Sequence, residues 1–169
     1  QAARTGPADF VADLGAGDGR IAIAAARDFG ARALGIEYDP KMAALAARNA
    51  ARAGVGDRVR IVEGDIFKED FSRASVVTLY LLPELNLQLR PTILAMAPGT
   101  RVVSYQFTMA EWEPDQLIRG PTWDAYLWIV PATVAGRWRV ADESGRDVAE
   151  FELAQQFQKV GDTIAVAGT

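Results

Sequence analysis

Cysteine and histidine are both absent from the 169-residue chain. Without cysteine there is no disulfide, no thiolate metal site and no cysteine nucleophile. Without histidine the usual general base near neutral pH is gone, and with it the triads built on imidazole. A transition-metal site would have to be assembled from carboxylates alone, a poor donor set, so no metal is expected. No apolar run approaches the roughly 18 residues needed to cross a bilayer, so no membrane span is expected. Positive charge is in deficit, with 18 Lys+Arg against 22 Asp+Glu and a net charge of -4. An acidic chain gains little from counterion release on a phosphate backbone, so nucleic acid is not an expected partner, although a local basic patch would override the average. The chain opens on Gln1 rather than Met, which points to a processed or trimmed product. The cytoplasm is the default compartment, with an exported form that has shed a signal peptide left open.

What is present is the material of an ordinary globular domain: 50% hydrophobic and 24% charged residues, enough to bury a core. Short apolar runs alternate with amphipathic ones. Phe10 to Leu14 reads as a buried strand, and Arg20 to Phe29 as an Ala/Ile-rich helix with Gly30 at its C′ position. Ala33 to Glu37 is a second strand. Asp39-Pro40 supplies an N-cap and a proline at N1 for a helix from Lys41 to Ala53, closed by Gly54. Val59 to Val62, Ser75 to Leu82 and Arg101 to Phe107 complete five strands, with Pro83 and Pro91 each suited to the first turn of a helical segment. Strands alternating with helices predict an α/β, doubly wound, Rossmann-like and mostly parallel sheet. After about residue 130 the helices stop. Tyr126 to Pro131, Arg137 to Ala141, Val148 to Gln158 and Thr163 to Ala167 read as strands, with turns at Ser144-Gly145 and Gly161-Asp162. The expected organisation is a ligand-binding domain over residues 1–130 and a C-terminal antiparallel β extension over residues 131–169, packed on or beside it.

The first strand runs into Asp13-Leu14-Gly15-Ala16-Gly17-Asp18-Gly19-Arg20. Glycine at alternate positions lets the backbone turn tightly and approach a ligand where any Cβ would clash. The helix N-terminus beyond it offers free N–H groups. The spacing is G-x-G-x-G. A dinucleotide fingerprint would need glycine at Arg20, and no Gly-Lys-Ser/Thr is present for a P-loop. Acidic Asp13, two residues before the first glycine, favours a cationic ligand over pyrophosphate, and the sulfonium and amino group of S-adenosylmethionine fit that charge. Glu37 ends the second strand 24 residues beyond Asp13, near the roughly 20-residue interval at which an acid receives ribose hydroxyls. Tyr38 either lies against adenine or fills the core. Asp65 ends the third strand, where its carboxylate would accept from the adenine amino group and the Ile66 N–H would reach a ring nitrogen; Gly64-Asp65 is also an ordinary turn sequence. The conjunction carries the reading: Asp13 with Gly15, Ala16, Gly17, Asp18 and Gly19, then Glu37 and Tyr38, then Asp65 and Ile66, fall at successive strand ends.

These residues resemble the class I, seven-stranded S-adenosylmethionine-dependent methyltransferases. Val76-Val77-Thr78-Leu79-Tyr80-Leu81-Leu82-Pro83-Glu84-Leu85-Asn86, with Leu89-Arg90-Pro91 and Pro98 to Ser104, narrows the resemblance. It is similar to the group of archaeal broad-specificity and mitochondrial protein-lysine methyltransferases and their bacterial relatives, over Asp9 to Trp112 and more weakly to Pro131. The resemblance implies that cofactor, a methyl acceptor on protein lysine, and a site at the strand tips. It also shows departures. The proline-rich segment that precedes the first strand in the family falls before this chain begins, Tyr105 stands where the family often has histidine, and residues 132–169 have no counterpart in the lysine methyltransferases.

Methyl transfer to an amine needs in-line positioning and a deprotonated nucleophile, and neither requires histidine. Tyr80, the candidate catalytic residue, with Leu81, Leu82, Pro83 and Asn86, would form one wall of an acceptor channel, and Tyr105, Phe107 and Trp112 the other. For Asn86 a helix-start hydrogen bond, and for Trp112 plain packing, are the stronger readings. No Asn-Pro-Pro-Tyr or Asp-Pro-Pro-Tyr occurs, which argues against adenine or glutamine amino groups, and the absence of cysteine closes the covalent route to 5-methylcytosine. Protein lysine is the leading acceptor. A small molecule is the enzymatic alternative, and a non-catalytic cofactor-binding module using its β extension as an interaction surface is the other. Phe151, Leu153 and Phe157 on one face of the extension suit packing equally well.

Overall fold

In the computed structural model, which describes residues 3–165, local chemistry and element boundaries agree closely in the first half of the chain. Helix α1 (Arg20–Phe29) follows strand β1 (Phe10–Leu14) and ends at Gly30, φ 71°, whose N–H bonds the last turn. Strand β2 (Arg32–Glu37) leads to α2 (Pro40–Arg52), where the Asp39 carboxylate accepts from the Lys41 and Met42 N–H groups and Pro40 occupies the first turn. The remaining elements of the first unit are β3 (Val59–Glu63), β4 (Val76–Leu79), α3 (Pro83–Leu94), β5 (Arg101–Tyr105), β6 (Gln116–Ile118) and β7 (Ala125–Ile129).

The sheet order is β3-β2-β1-β4-β5-β7-β6. Strands β1 to β5 are parallel and β7 runs antiparallel to β5 and β6. The chain builds outward from β1 through β2 to β3, then returns to β4 on the other side of β1. The crevice at that reversal, above the carboxyl ends of the strands, is where ligands of such sheets sit. Val11, Ala33, Val59 and Val76 pack against Ala22, Ala25, Ala26 and Ala50 of α1 and α2. Alternation along β5 sends Val103 to that face and Ser104 to the opposite one, where α3 meets it through Asn86. This is the α/β doubly wound fold expected of a class I methyltransferase.

Close approach of α1 to the sheet depends on small residues. A Cβ on Gly35 would stand 2.7 Å from Ile61 Cδ1 and 2.9 Å from Ala16 Cβ. Gly35→Ala is therefore expected to destabilise the fold by roughly 1–2 kcal/mol through overpacking, measured by urea unfolding at constant m-value.

Several boundaries differ from the sequence reading. Strand β4 stops at Leu79 rather than Leu82, and Tyr80 to Leu82 leave the sheet as an irregular connection into α3. Strand β5 stops at Tyr105 because Gln106 adopts φ 77°. Pro91 does not begin a new segment but lies inside α3. The carbonyl its missing N–H would have bonded belongs to Leu87, which is exposed enough to meet water. The chain divides into compact units after Val130, with β7 the last strand of the first.

The second unit is a three-stranded antiparallel sheet of β8 (Gly136–Ala141), β9 (Asp147–Gln156) and β10 (Lys159–Ala165). Its last turn is at Phe157 and Gln158, with Phe157 at φ 55°. Gly161 and Asp162 are not a turn but pair with Ala154 and Leu153. Phe157 therefore does not share a strand face with Phe151 and Leu153. The predicted strand end at Ala167 lies outside the described residues.

Candidate functional site

Three glycines turn the chain between β1 and α1 in the left-handed region, at φ 76° for Gly15, 57° for Gly17 and 82° for Gly19. A side chain at Gly15 would be strained and would also meet Leu81 Cδ2 at 2.7 Å. The Gly15 and Ala16 N–H groups both donate to the Ile36 carbonyl at 2.9 Å, so the loop is anchored to the tip of β2. Gly19 is the N-cap of α1 and packs on Ala46, and Ala16 is buried. Asp18 pairs with Arg20 at 2.8 Å, and that guanidinium holds its carboxyl below the usual range.

Glu37 sits at the tip of β2. Its Oε2 accepts from the Gly17 N–H at 2.7 Å and its Oε1 from the Asp39 N–H at 3.0 Å. Asp65, beyond β3, accepts from the Phe67 N–H at 3.0 Å and pairs with Lys68 at 3.2 Å. That N–H, with Lys68 behind it, keeps the carboxyl below the usual carboxylate range. These groups converge on one cavity of about 530 Å³, lined by Gly15, Glu37, Tyr38, Asp65 and Ile66. Tyr38 is 78% exposed and so is not core filler. Phe67, Leu81 and Leu85 line the same cavity. The sequence reading assigned none of them to the cavity at the tips of β2 and β3, because a leucine facing a cavity and a leucine facing the core belong to the same apolar pattern.

Asp13 lies beneath the loop, only 2% exposed. Its Oδ1 accepts from the Thr78 hydroxyl at 2.7 Å, while Oδ2 has no partner among the described residues. Burial pushes its carboxyl up to about 6 against the restraint of Thr78 and the Ala22 N–H, and Glu37 and Asp18 push the same way.

On the β4 side, Tyr80 and Tyr105 form an edge-to-face pair with centroids 5.1 Å apart. Both rings are exposed, and Tyr80 adjoins Leu81 of the cavity wall. Trp112, proposed as a channel wall, is fully buried against Trp128 and is a packing residue. Asn86 is also fully buried, but it bonds Ser104 of β5 rather than capping its helix.

The family described as the ANTKMT methyltransferase domain matches residues 13–116. The chain belongs to that family. It is an S-adenosylmethionine-dependent methyltransferase with a class I fold. This methyltransferase is 43% identical to a protein-lysine N-methyltransferase of Saccharolobus islandicus, over 66% of this chain and 70% of that protein. It is 36% identical to the adenine nucleotide translocase lysine N-methyltransferase of Mus musculus over 60% of this chain but only 45% of the mouse protein, so it spans less than half the length of that relative. Among solved structures it is similar to an RNA methyltransferase from Salinibacter ruber in complex with S-adenosyl-L-homocysteine, with a TM-score of 0.77 and 47% identity over 78% of this chain and 87% of that one. No helix of the described residues is long and apolar enough to cross a membrane.

The cavity suits the cofactor. Its volume falls in the range of small-molecule sites. Its charged lining is carboxylate only, which favours a cation over a pyrophosphate. Gly15 lines it with bare backbone, where a Cβ would collide with Leu81 at 2.7 Å.

Proposed function

We propose that this methyltransferase modifies the side-chain amine of lysine in protein substrates. The observation that carries the reading is the exposed Tyr80–Tyr105 pair beside the cavity wall, in a chain whose archaeal relative is named for protein lysine. Aromatic faces attract ammonium and methylammonium groups, and an apolar approach past Leu81 and Leu82 favours the neutral amine by desolvating the charged one.

Bound S-adenosylmethionine supplies a methyl group already activated by the sulfonium. The chain's own residues hold and orient. Gly15 gives close backbone approach. Glu37 receives the ribose hydroxyls with the lone pairs that Gly17 and Asp39 leave. Asp65 and the Ile66 N–H would hold the adenine edge, Tyr38 would supply a ring for its face, and Asp13 would lend negative charge beneath the loop. Ala16, Gly17, Asp18 and Gly19 shape the turn. Tyr80 and Tyr105 orient the acceptor, and Leu81 and Leu82 exclude water.

Incubation of a lysate with methyl-labelled cofactor tests the acceptor: label recovered as methyl-lysine after acid hydrolysis supports the reading. The Salinibacter neighbour is described as an RNA methyltransferase, which favours RNA as the second reading, and label removed by ribonuclease would replace lysine with it. Label only in small molecules would refute both. Tyr80→Ala is expected to lower kcat/KM by about 2- to 30-fold, the equivalent of roughly 0.5–2 kcal/mol of cation–π attraction, with cofactor affinity unchanged.

A further inference from the structure

The amide of Asn86 is hard to explain by stability. Asn86 and Ser104 are both fully buried. Asn86 Nδ2 donates to Ser104 Oγ at 3.1 Å, yet Asn86 Oδ1 has no partner among the described residues. A leucine would fill the same space without leaving a buried carbonyl unsatisfied. The bond's location suggests what the amide is for. Asn86 stands in the first turn of α3, next to Leu85 of the cofactor cavity. Ser104 immediately precedes Tyr105, the ring set edge-to-face on Tyr80.

Tyr105 needs such anchoring. Its ring is partly exposed and rests edge-to-face on the exposed Tyr80 ring, while its backbone pairs with Ala125 at the end of the ladder. The backbone that follows is fixed, because Gln106 takes φ 77° and its N–H donates to the Asp124 carbonyl at 2.8 Å. A non-glycine residue in that region is strained and persists only where its surroundings over-determine it. Ser104 is the corresponding anchor on the preceding side.

We propose that Asn86 and Ser104 are positioning residues, a buried clamp that fixes Tyr105 against Tyr80 and ties that pair to the cofactor wall on α3. Their functional role rests on the reading that the two rings orient the acceptor. An in-line displacement is sensitive to small errors in placement, so a clamp spanning both halves of the site sets the distance between nucleophile and methyl group.

The chain has four tyrosines, so ring resonances of selectively labelled tyrosine can be followed one by one. Ser104→Ala removes a single oxygen, and Asn86→Leu removes the same hydrogen bond from the other side. In either variant that folds, the Tyr80 and Tyr105 resonances are expected to move and Tyr38 to stay, with affinity for S-adenosylhomocysteine within about twofold of the parent, because neither residue lines the cofactor cavity. Transfer to poly-L-lysine is expected to fall, by no more than the roughly 2- to 30-fold loss of Tyr80→Ala, and to fall no further when Ser104→Ala is added to Tyr80→Ala. Unmoved Tyr105 resonances in Ser104→Ala, or losses that multiply in the double variant, would overturn the clamp. If the resonances move but Tyr80→Ala transfers methyl like the parent, the acceptor reading of the rings fails instead, and the functional role of the clamp fails with it.

Discussion

Replacing Glu37 by alanine is expected to weaken binding of S-adenosylhomocysteine by roughly 1.5–3 kcal/mol, about 10- to 150-fold, the worth of hydrogen bonds to a charged group. The carboxylate stands at the tip of β2, on the wall of the cavity, with both oxygens already engaged by the backbone. Each oxygen would keep a lone pair for a ribose hydroxyl. The substitution removes those acceptors and also frees the Gly17 N–H, which Glu37 holds at 2.7 Å, so the loop loses part of its preorganisation. Glu37→Gln is expected to fall between the two, since its amide keeps one acceptor oxygen but turns a donor toward a backbone N–H. Titration calorimetry on folded variants measures both. An affinity unchanged in Glu37→Ala would remove Glu37 from the cofactor site.

The residues that made the strand tips legible share a physical cause. An acid that ends an apolar run rarely continues into the core, so Glu37 and Asp65 mark where β2 and β3 leave the sheet, while Asp13 is the exception, buried one residue before β1 ends, and parallel strands bring those ends to one edge. The Asp39-Pro40 start and Gly30 end of the flanking helices were equally legible, because capping is local. What depended on distant partners was not. The apolar run Val76 to Leu82 does not encode where the hydrogen-bond ladder stops, and the ladder ends with Leu79 opposite Ser104. Strand β6 has only three residues and no alternation to detect. The Gly161-Asp162 pair looks like a turn, but register across β9 carries it into a strand. The bond from Asn86 to Ser104 joins residues 18 apart on different elements, and its helical neighbourhood suggested a cap.

Asp13 carries the other large effect, and its sign is opposite to that of a typical paired aspartate. Its ordinary value is 3.8, and in the folded chain burial raises it to about 6. The folded state therefore favours the protonated acid. Below the unfolded value both states are protonated and the group is neutral to stability. As pH rises from about 4 to about 6 the unfolded chain ionises more readily, and above that range the folded chain bears a penalty of about 3 kcal/mol. Asp13→Asn keeps an acceptor for the Thr78 hydroxyl and cannot ionise. Urea unfolding without cofactor should find the variant more stable than the parent by up to about 3 kcal/mol at pH 7.5, with the difference shrinking to nothing toward pH 4. From beneath the loop, out of contact with the cavity, the same carboxylate would act on a bound cation through its charge. Cofactor affinity in the parent is therefore expected to rise as pH climbs through about 6, while the variant binds weakly and without that slope. A variant that gains stability and loses no affinity would leave the buried charge without a role in binding. A variant that gains no stability would mean that Asp13 is ionised at little cost, with its second oxygen satisfied by solvent.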